Sequence, residues 1–200
     1  MSNIGDSRPV AGAVLVGGSS TRMGTDKALL EIDGTPMALR CAKELEASGL
    51  SPVLIVGGES RAFEGWDTDH VDDRWPGEGP LGGIITAFQN IDTDLLMVLP
   101  CDLLNPSAEA IAPLIEMVGT HDVAVPIIDG RAQWLISIWQ RRALSVLETE
   151  FRKGTRSIRS AVSALDLCRA VVHRLPDEPD PYLDADTPDQ LRARGPISGD

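Results

Sequence analysis

The sequence predicts a three-layer α/β domain with a Rossmann-like, mostly parallel sheet. Two observations carry that expectation. Short, near-continuous apolar runs alternate with stretches of helical length that have one apolar face, and Gly, Pro or Asp directly follows several of the apolar runs. Strands buried on both faces read as continuous apolar runs, and parallel neighbours must be joined by crossovers long enough to hold a helix. With 200 residues, 42% hydrophobic and 24% charged, the chain can bury a core without a disulfide or metal staple.

The elements follow in order. Ala11–Val16 is an apolar run that ends at Gly17-Gly18 and reads as a buried strand. Pro36 to Ser48 reads as a helix, with Pro36 in the first turn, an apolar face of Met37, Leu39, Cys41, Ala42 and Leu45, and Gly49 where a C-terminal cap belongs. Val53–Val56 is a second strand closed by Gly57-Gly58, Leu81–Asn90 a helix, and Leu95–Leu99 a third strand that runs into Pro100-Cys101-Asp102. Ala108–Val118 reads as a helix, Val123–Ile128 and Trp134–Trp139 as strands, and Arg141 to Phe151 and Ser157–Leu165 as helices. Arg169–Leu175 reads as extended, and Thr187–Arg194 as a last helix with Thr187 as N-cap and Pro188 at the first helical position. One domain is expected over residues 10–194, between a flexible N-terminus (1–9) and a short tail (195–200).

Composition excludes several classes. The net charge is −12, with 30 acidic against 18 basic residues, which argues against a broad nucleic-acid-binding face. Cys41, Cys101 and Cys168 are scattered with no C-x-x-C pair, which excludes a zinc ribbon or disulfide framework and favours a reducing compartment. The polar first nine residues lack a signal-peptide pattern, and no apolar run approaches the roughly 20 residues of a membrane span, so the expected location is cytoplasmic. His70, His121 and His173 show no metal-ligand spacing, and the four Trp are read as core or rim residues.

In open parallel sheets ligands sit at the carboxyl ends of the strands. The first such segment runs Leu15-Val16-Gly17-Gly18-Ser19-Ser20-Thr21-Arg22-Met23-Gly24-Thr25-Asp26-Lys27. Its glycines let backbone N–H groups approach phosphate oxygens, and Arg22 and Lys27 supply positive charge in a chain with three lysines in all. The spacing matches neither GxxxxGK[ST] nor GxGxxG. The stretch LVGGSSTRMGTDKALLEIDG does closely resemble the opening LAGGxSxRMGxDKxLL of the MobA-like nucleotidyltransferases, the molybdenum cofactor guanylyltransferases, with Val16 where relatives usually have Ala.

Further segments carry the resemblance, which extends over about residues 10–194. Asp73 and Gly79-Pro80-Leu81-Gly82-Gly83 resemble the family's D…GPLxG segment, which separates guanylyl- from cytidylyltransferases. Leu99-Pro100-Cys101-Asp102 resembles the strand-end PCD, and Asp184-Ala185-Asp186-Thr187-Pro188-Asp189 the terminal D-x-DTPE. Three positions depart from the pattern: Leu104 replaces a common Pro, Gly57 a common Asn near the base, and Trp134-Leu135 a Pro-Leu pair that faces the second substrate. Cys101 reads as a buried packing residue, because no His pairs with it in the motif.

The resemblance implies a nucleotidyltransferase domain that transfers GMP from GTP to molybdenum-molybdopterin and releases pyrophosphate. The implied catalytic residues are Arg22, Lys27 and Asp102. The nucleotide site would comprise Leu15, Val16, Gly17, Gly18, Lys27, Asp73, Pro80, Leu81, Gly82, Gly83 and Asp102, with Mg²⁺ on Asp102 and Asp186. Asp102 suits that ion as a hard oxygen ligand at a strand end. Arg141, Arg142, Arg152, Lys153, Arg156 and Arg159 are either a solvated helix face or the counter-charge of a pterin phosphate. Delivery proteins for the molybdenum cofactor are further candidate partners. Use of CTP or another phosphorylated acceptor, or a non-catalytic nucleotide-binding role, stays open at this point.

Overall fold

A computed structural model describes residues 8–17, 27–171 and 179–185. Its strands are β1 (Val10–Leu15), β2 (Glu31–Ile32), β3 (Thr35–Pro36), β4 (Val53–Val56), β5 (Asp69–Val71), β6 (Leu95–Pro100), β7 (Val123–Ile128), β8 (Arg131–Ala132), β9 (Ser137–Gln140) and β10 (Leu167–Val171). Its α-helices are α1 (Met37–Ala47), α2 (Pro80–Gln89), α3 (Ala108–Met117), α4 (Leu144–Arg152) and α5 (Ile158–Ala161). The main sheet has the order β10-β7-β9-β6-β1-β4-β5, with β8 on β7, and β2 and β3 form a separate hairpin. β6, β1, β4 and β5 are mutually parallel, as are β10 and β7, whereas β9 runs antiparallel between β6 and β7.

The apolar runs become strands because both faces of the sheet are covered. Successive side chains of a strand point to opposite faces. Val14, Ile55, Met97 and Leu99 pack with Cys41, Leu45 and Leu114 of α1 and α3. Their strand neighbours Ala13, Leu54, Leu96 and Val98 pack with Ile84, Phe88 and Leu147 of α2 and α4. All six residues of β6 are buried. Cys41 sits at the centre of the first layer, where burial pushes its thiol up to about 12.

Differences from the sequence-based expectation are local. Trp134–Trp139 is not a strand throughout. Ile136 N–H donates to the Gln133 carbonyl across a turn (3.0 Å), and β9 begins at Ser137. Helix α1 starts at Met37, because Pro36 keeps extended backbone (ψ 141°) to pair with Glu31. Gly49, at φ +82°, terminates α1 as expected. Cys101 is half-buried rather than buried. Thr187–Arg194, His173 and the end of the Arg169–Leu175 segment lie outside the described residues.

Candidate active site

The parallel strands β1, β4 and β6 end on one edge, and the segments that leave them build the site. After β1, Val16 N–H donates to the Val56 carbonyl (2.8 Å), which holds the start of the glycine loop against β4. Val16 itself is buried, and Leu15 packs into the α2 side of the core. Only their main-chain groups are therefore suited to meet a ligand. Gly17 has φ +139°, and a Cβ there would meet nothing within 4 Å, so the backbone at this point borders open space. Gly18 and Arg22 lie outside the described residues.

The chain is described again at the 3₁₀ turn Lys27–Leu29. Lys27 Nζ donates to the Ala185 carbonyl at 2.7 Å and lies 3.4 Å from Asp102 Oδ2. Both side chains are largely but not fully covered, at 16% and 23% exposure, so the pair faces a partly open space with reduced solvent screening. Two residues expected to act on the same nucleotide, 75 positions apart, thus meet at the end of β6.

Asp102 lies in a turn just beyond β6 and is bracketed by a C-terminal strap. Ala185 N–H donates to the Asp102 carbonyl (2.9 Å), Leu104 N–H donates to the Leu183 carbonyl (2.8 Å), and Leu103 bridges Asp184. The departure at Leu104 has a physical role here. A proline has no N–H to give the strap, and the Leu104 side chain is buried with Leu30, Ile32, Met37 and Ala185. Residues 179–185 are therefore docked against the body of the protein, whereas Asp186 lies outside the described residues. Among the described residues no group of three or more His, Cys, Asp and Glu side chains could hold a metal, and Asp102 is the carboxylate at the end of β6. That donor fits Mg²⁺, which keeps several waters and takes its remaining oxygens from substrate phosphates.

Asp73 lies against the turn after β4, its Cβ 3.6 Å from where a Cβ on Gly57 would stand, and the fold uses one of its oxygens. Asp73 Oδ1 accepts from Thr86 Oγ1 (3.0 Å) and Trp75 N–H (3.1 Å), and Thr86 Oγ1 also accepts Arg74 N–H (3.2 Å). Thr86 is fully buried in α2, so this network pins the loop before the helix. In the Pro80–Gly83 stretch, Leu81, Gly82 and Gly83 face inward. A Cβ on Gly83 would come within 3.1 Å of Leu15, and one on Gly82 within 3.4 Å of Trp75. These glycines serve close helix packing, and the exposed part of the segment is the N-terminal turn of α2 at Gly79-Pro80.

Gly57 tolerates no side chain. With φ +90°, its Cβ would stand 2.2 Å from the Val16 carbonyl oxygen, so an Asn at this position would not fit this backbone. His70 holds the turn from behind: its Nε2 hydrogen-bonds the Gly57 carbonyl (2.9 Å) and its ring stacks on Phe63.

The basic cluster divides. Arg141 donates to the Thr93, Phe88 and Ile91 carbonyls and anchors the end of α2. Arg142 pairs with Asp122, and Lys153 with Glu150. Arg156 and Arg159 instead line a groove of about 390 Å³ with Pro80, Trp134, Leu135 and Ile158. Arg156 lies 4.1 Å from the centre of the Phe151 ring and is paired with Glu78. Sequence reasoning named the groove residues separately; only the fold puts Trp134-Leu135, Arg156 and Arg159 around Pro80.

The edge of a Rossmann-like sheet, a glycine loop and a Lys–Asp pair define a nucleotide-handling α/β protein. The chain belongs to the MobA-like NTP transferase domain family, whose model matches residues 12–170, and it is thus a nucleotidyltransferase. It is 33% identical over 183 residues to a Bacillus subtilis protein named "Probable molybdenum cofactor guanylyltransferase", covering 89% of this chain and 90% of that one. It is 31% identical over 191 residues to a Methanothermobacter thermautotrophicus protein of the same name (90% and 96% covered). Its fold is similar to the crystal structure of molybdopterin-guanine dinucleotide biosynthesis protein A from Archaeoglobus fulgidus, with TM-score 0.73, 22% identity, and 92% and 96% of the two chains covered.

Proposed function

We propose that the protein transfers GMP from GTP to the terminal phosphate of molybdenum-bound molybdopterin and releases pyrophosphate. The observation that carries this reading is the Lys27–Asp102 pair at the carboxyl edge of β6. An acceptor phosphate oxygen attacks the α-phosphorus, the bond to the bridging oxygen breaks, and the electron pair leaves with pyrophosphate. The nucleophile is already anionic, so no covalent enzyme intermediate is needed, and catalysis rests on positioning and charge neutralisation. Lys27, with Arg22, offsets charge on the transferred and leaving phosphates. Asp102 would hold Mg²⁺, with Asp186 as a second candidate ligand; that ion supplies electrostatic neutralisation of phosphate oxygens when bound.

The glycine loop, Asp73 and the Gly79–Pro80 turn would hold the nucleoside and triphosphate. The groove between Trp134-Leu135 and Arg156/Arg159 suits an acceptor with an apolar ring system and an anionic end. Delivery proteins for the molybdenum cofactor would dock near that groove. No helix among the described residues is long and apolar enough to cross a membrane, and a cytoplasmic location is part of this proposal. The test incubates the protein with Mg²⁺, molybdopterin and each nucleoside triphosphate in turn and follows pyrophosphate. Release with GTP is expected, and release with CTP alone would sink the guanylyl assignment.

A further inference from the structure

Lys27 is held by a segment 158 positions away in the chain, and that segment has an anchor of its own. Residues 179–185 contribute three main-chain bonds beside Asp102, of which the Ala185 carbonyl is the shortest contact Lys27 makes at 2.7 Å. Ala185 is fully buried against Leu104 and Met37, so its carbonyl direction is fixed by packing. Further back, Tyr182 lies half-buried against the core layer that α1 and α3 share. Its hydroxyl donates to the Ala110 carbonyl of α3 (3.1 Å), its N–H donates to Asp180 Oδ1 (3.0 Å), and Asn105 Nδ2 donates to the Asp180 carbonyl (3.0 Å). The strap is thus pinned at Tyr182 and delivers a carbonyl to Lys27 three residues later.

We propose that Tyr182 is a positioning residue: by anchoring the strap to α3 it sets the Ala185 carbonyl that holds the Lys27 ammonium beside Asp102. The strap does for Lys27 what a neighbouring side chain does in many sites, because a fixed acceptor narrows the places a long flexible side chain can occupy before substrate arrives. Its catalytic part rests on the reading of Lys27 as a phosphate contact; its structural part does not.

The chain has three lysines, so Lys43 and Lys153, both exposed, serve as internal references for Lys27. Limited acylation with acetic anhydride at fixed pH, read by peptide mass spectrometry, gives the Lys27:Lys43 and Lys27:Lys153 labelling ratios. Tyr182→Ala should raise both ratios at least about threefold, the scale of one lost hydrogen bond, and Tyr182→Phe, which keeps the ring, should raise them less, by about twofold. In guanylyl transfer, Tyr182→Ala should lower kcat at least about threefold with KM for GTP changed less than about twofold. A loosened Lys27 still attracts the triphosphate but no longer starts in place. Unchanged ratios in the folded variants would overturn the proposal, and Tyr182→Phe decides it if Tyr182→Ala loses its circular dichroism. A raised ratio with no GTP chemistry in the parent protein would uphold the anchoring and sink the nucleotide reading, so the two fail separately.

Discussion

At the scale of single residues, Lys27 and Asp102 divide one task. Lys27 stands between a carboxylate and a carbonyl, and a triphosphate would replace or join those acceptors. A charge-assisted contact of this kind contributes roughly 1.5–3 kcal/mol. It should strengthen as the leaving pyrophosphate gains charge. Lys27→Ala is therefore expected to lower turnover at least about tenfold and to weaken GTP binding, at about 1.4 kcal/mol per decade. Lys27→Arg should recover only part of this, because a planar fork cannot occupy the place of a point charge 2.7 Å from a carbonyl. Asp102→Asn keeps the shape and the strap's main-chain bonds but removes the charge. It should cost turnover heavily with little change in urea midpoint. Steady-state kinetics and urea unfolding of the three variants check this; a near-normal rate for Asp102→Asn at saturating Mg²⁺ removes Asp102 as the metal's holder.

At the scale of elements, the loop from Asp73 to Pro80 depends on one buried hydroxyl in α2. Thr86 Oγ1 serves both Asp73 and the Arg74 N–H. Thr86→Val keeps the volume but removes both bonds and leaves the Arg74 N–H without its acceptor, which costs about 1–3 kcal/mol. Urea unfolding should show that loss, and KM for GTP should rise because the loop loses its register. A variant as stable as the parent would mean that the loop is held by other contacts. This network was not legible in the sequence, where Thr86 sits unremarked inside an apolar helix. The same holds for other elements. The hairpins at Asp33-Gly34 and Asp129-Gly130 carry the Asp-Gly pair of tight turns, with positive φ at all four residues. Strands β2, β3 and β8, however, are two residues each and too short to show alternation. β9 read as a strand, but no periodicity reports strand direction, and its antiparallel placement follows from pairing with β6 and β7. By contrast, β1, β4 and β6 were legible because burial on both faces makes every residue apolar. Lys27 and Asp102 were legible as motif residues; their contact with each other and with Ala185 needed the fold.

At the scale of the whole molecule, the fold builds two separate places for the proposed reaction. One is the Lys27–Asp102 pair at the end of β6, and the other is the Trp134–Arg159 groove at the N-terminus of α2. In a chain of net charge −12, Lys27 at the first place and Arg156 and Arg159 at the second are the cations the proposed reading assigns to anionic substrates. Base choice belongs to this scale as well. Gly57 excludes a side chain from the turn after β4, so in the proposed reading that turn meets the base through main-chain groups alone. Main-chain donors and acceptors in fixed places reject a base whose edge leaves them unpaired. The most direct measurement is calorimetric titration of the protein with GTP, CTP and ATP in the presence of Mg²⁺. GTP is expected to bind at least about tenfold more tightly than either competitor, the equivalent of one unpaired buried group. Equal affinity for CTP would contradict the guanylyltransferase reading.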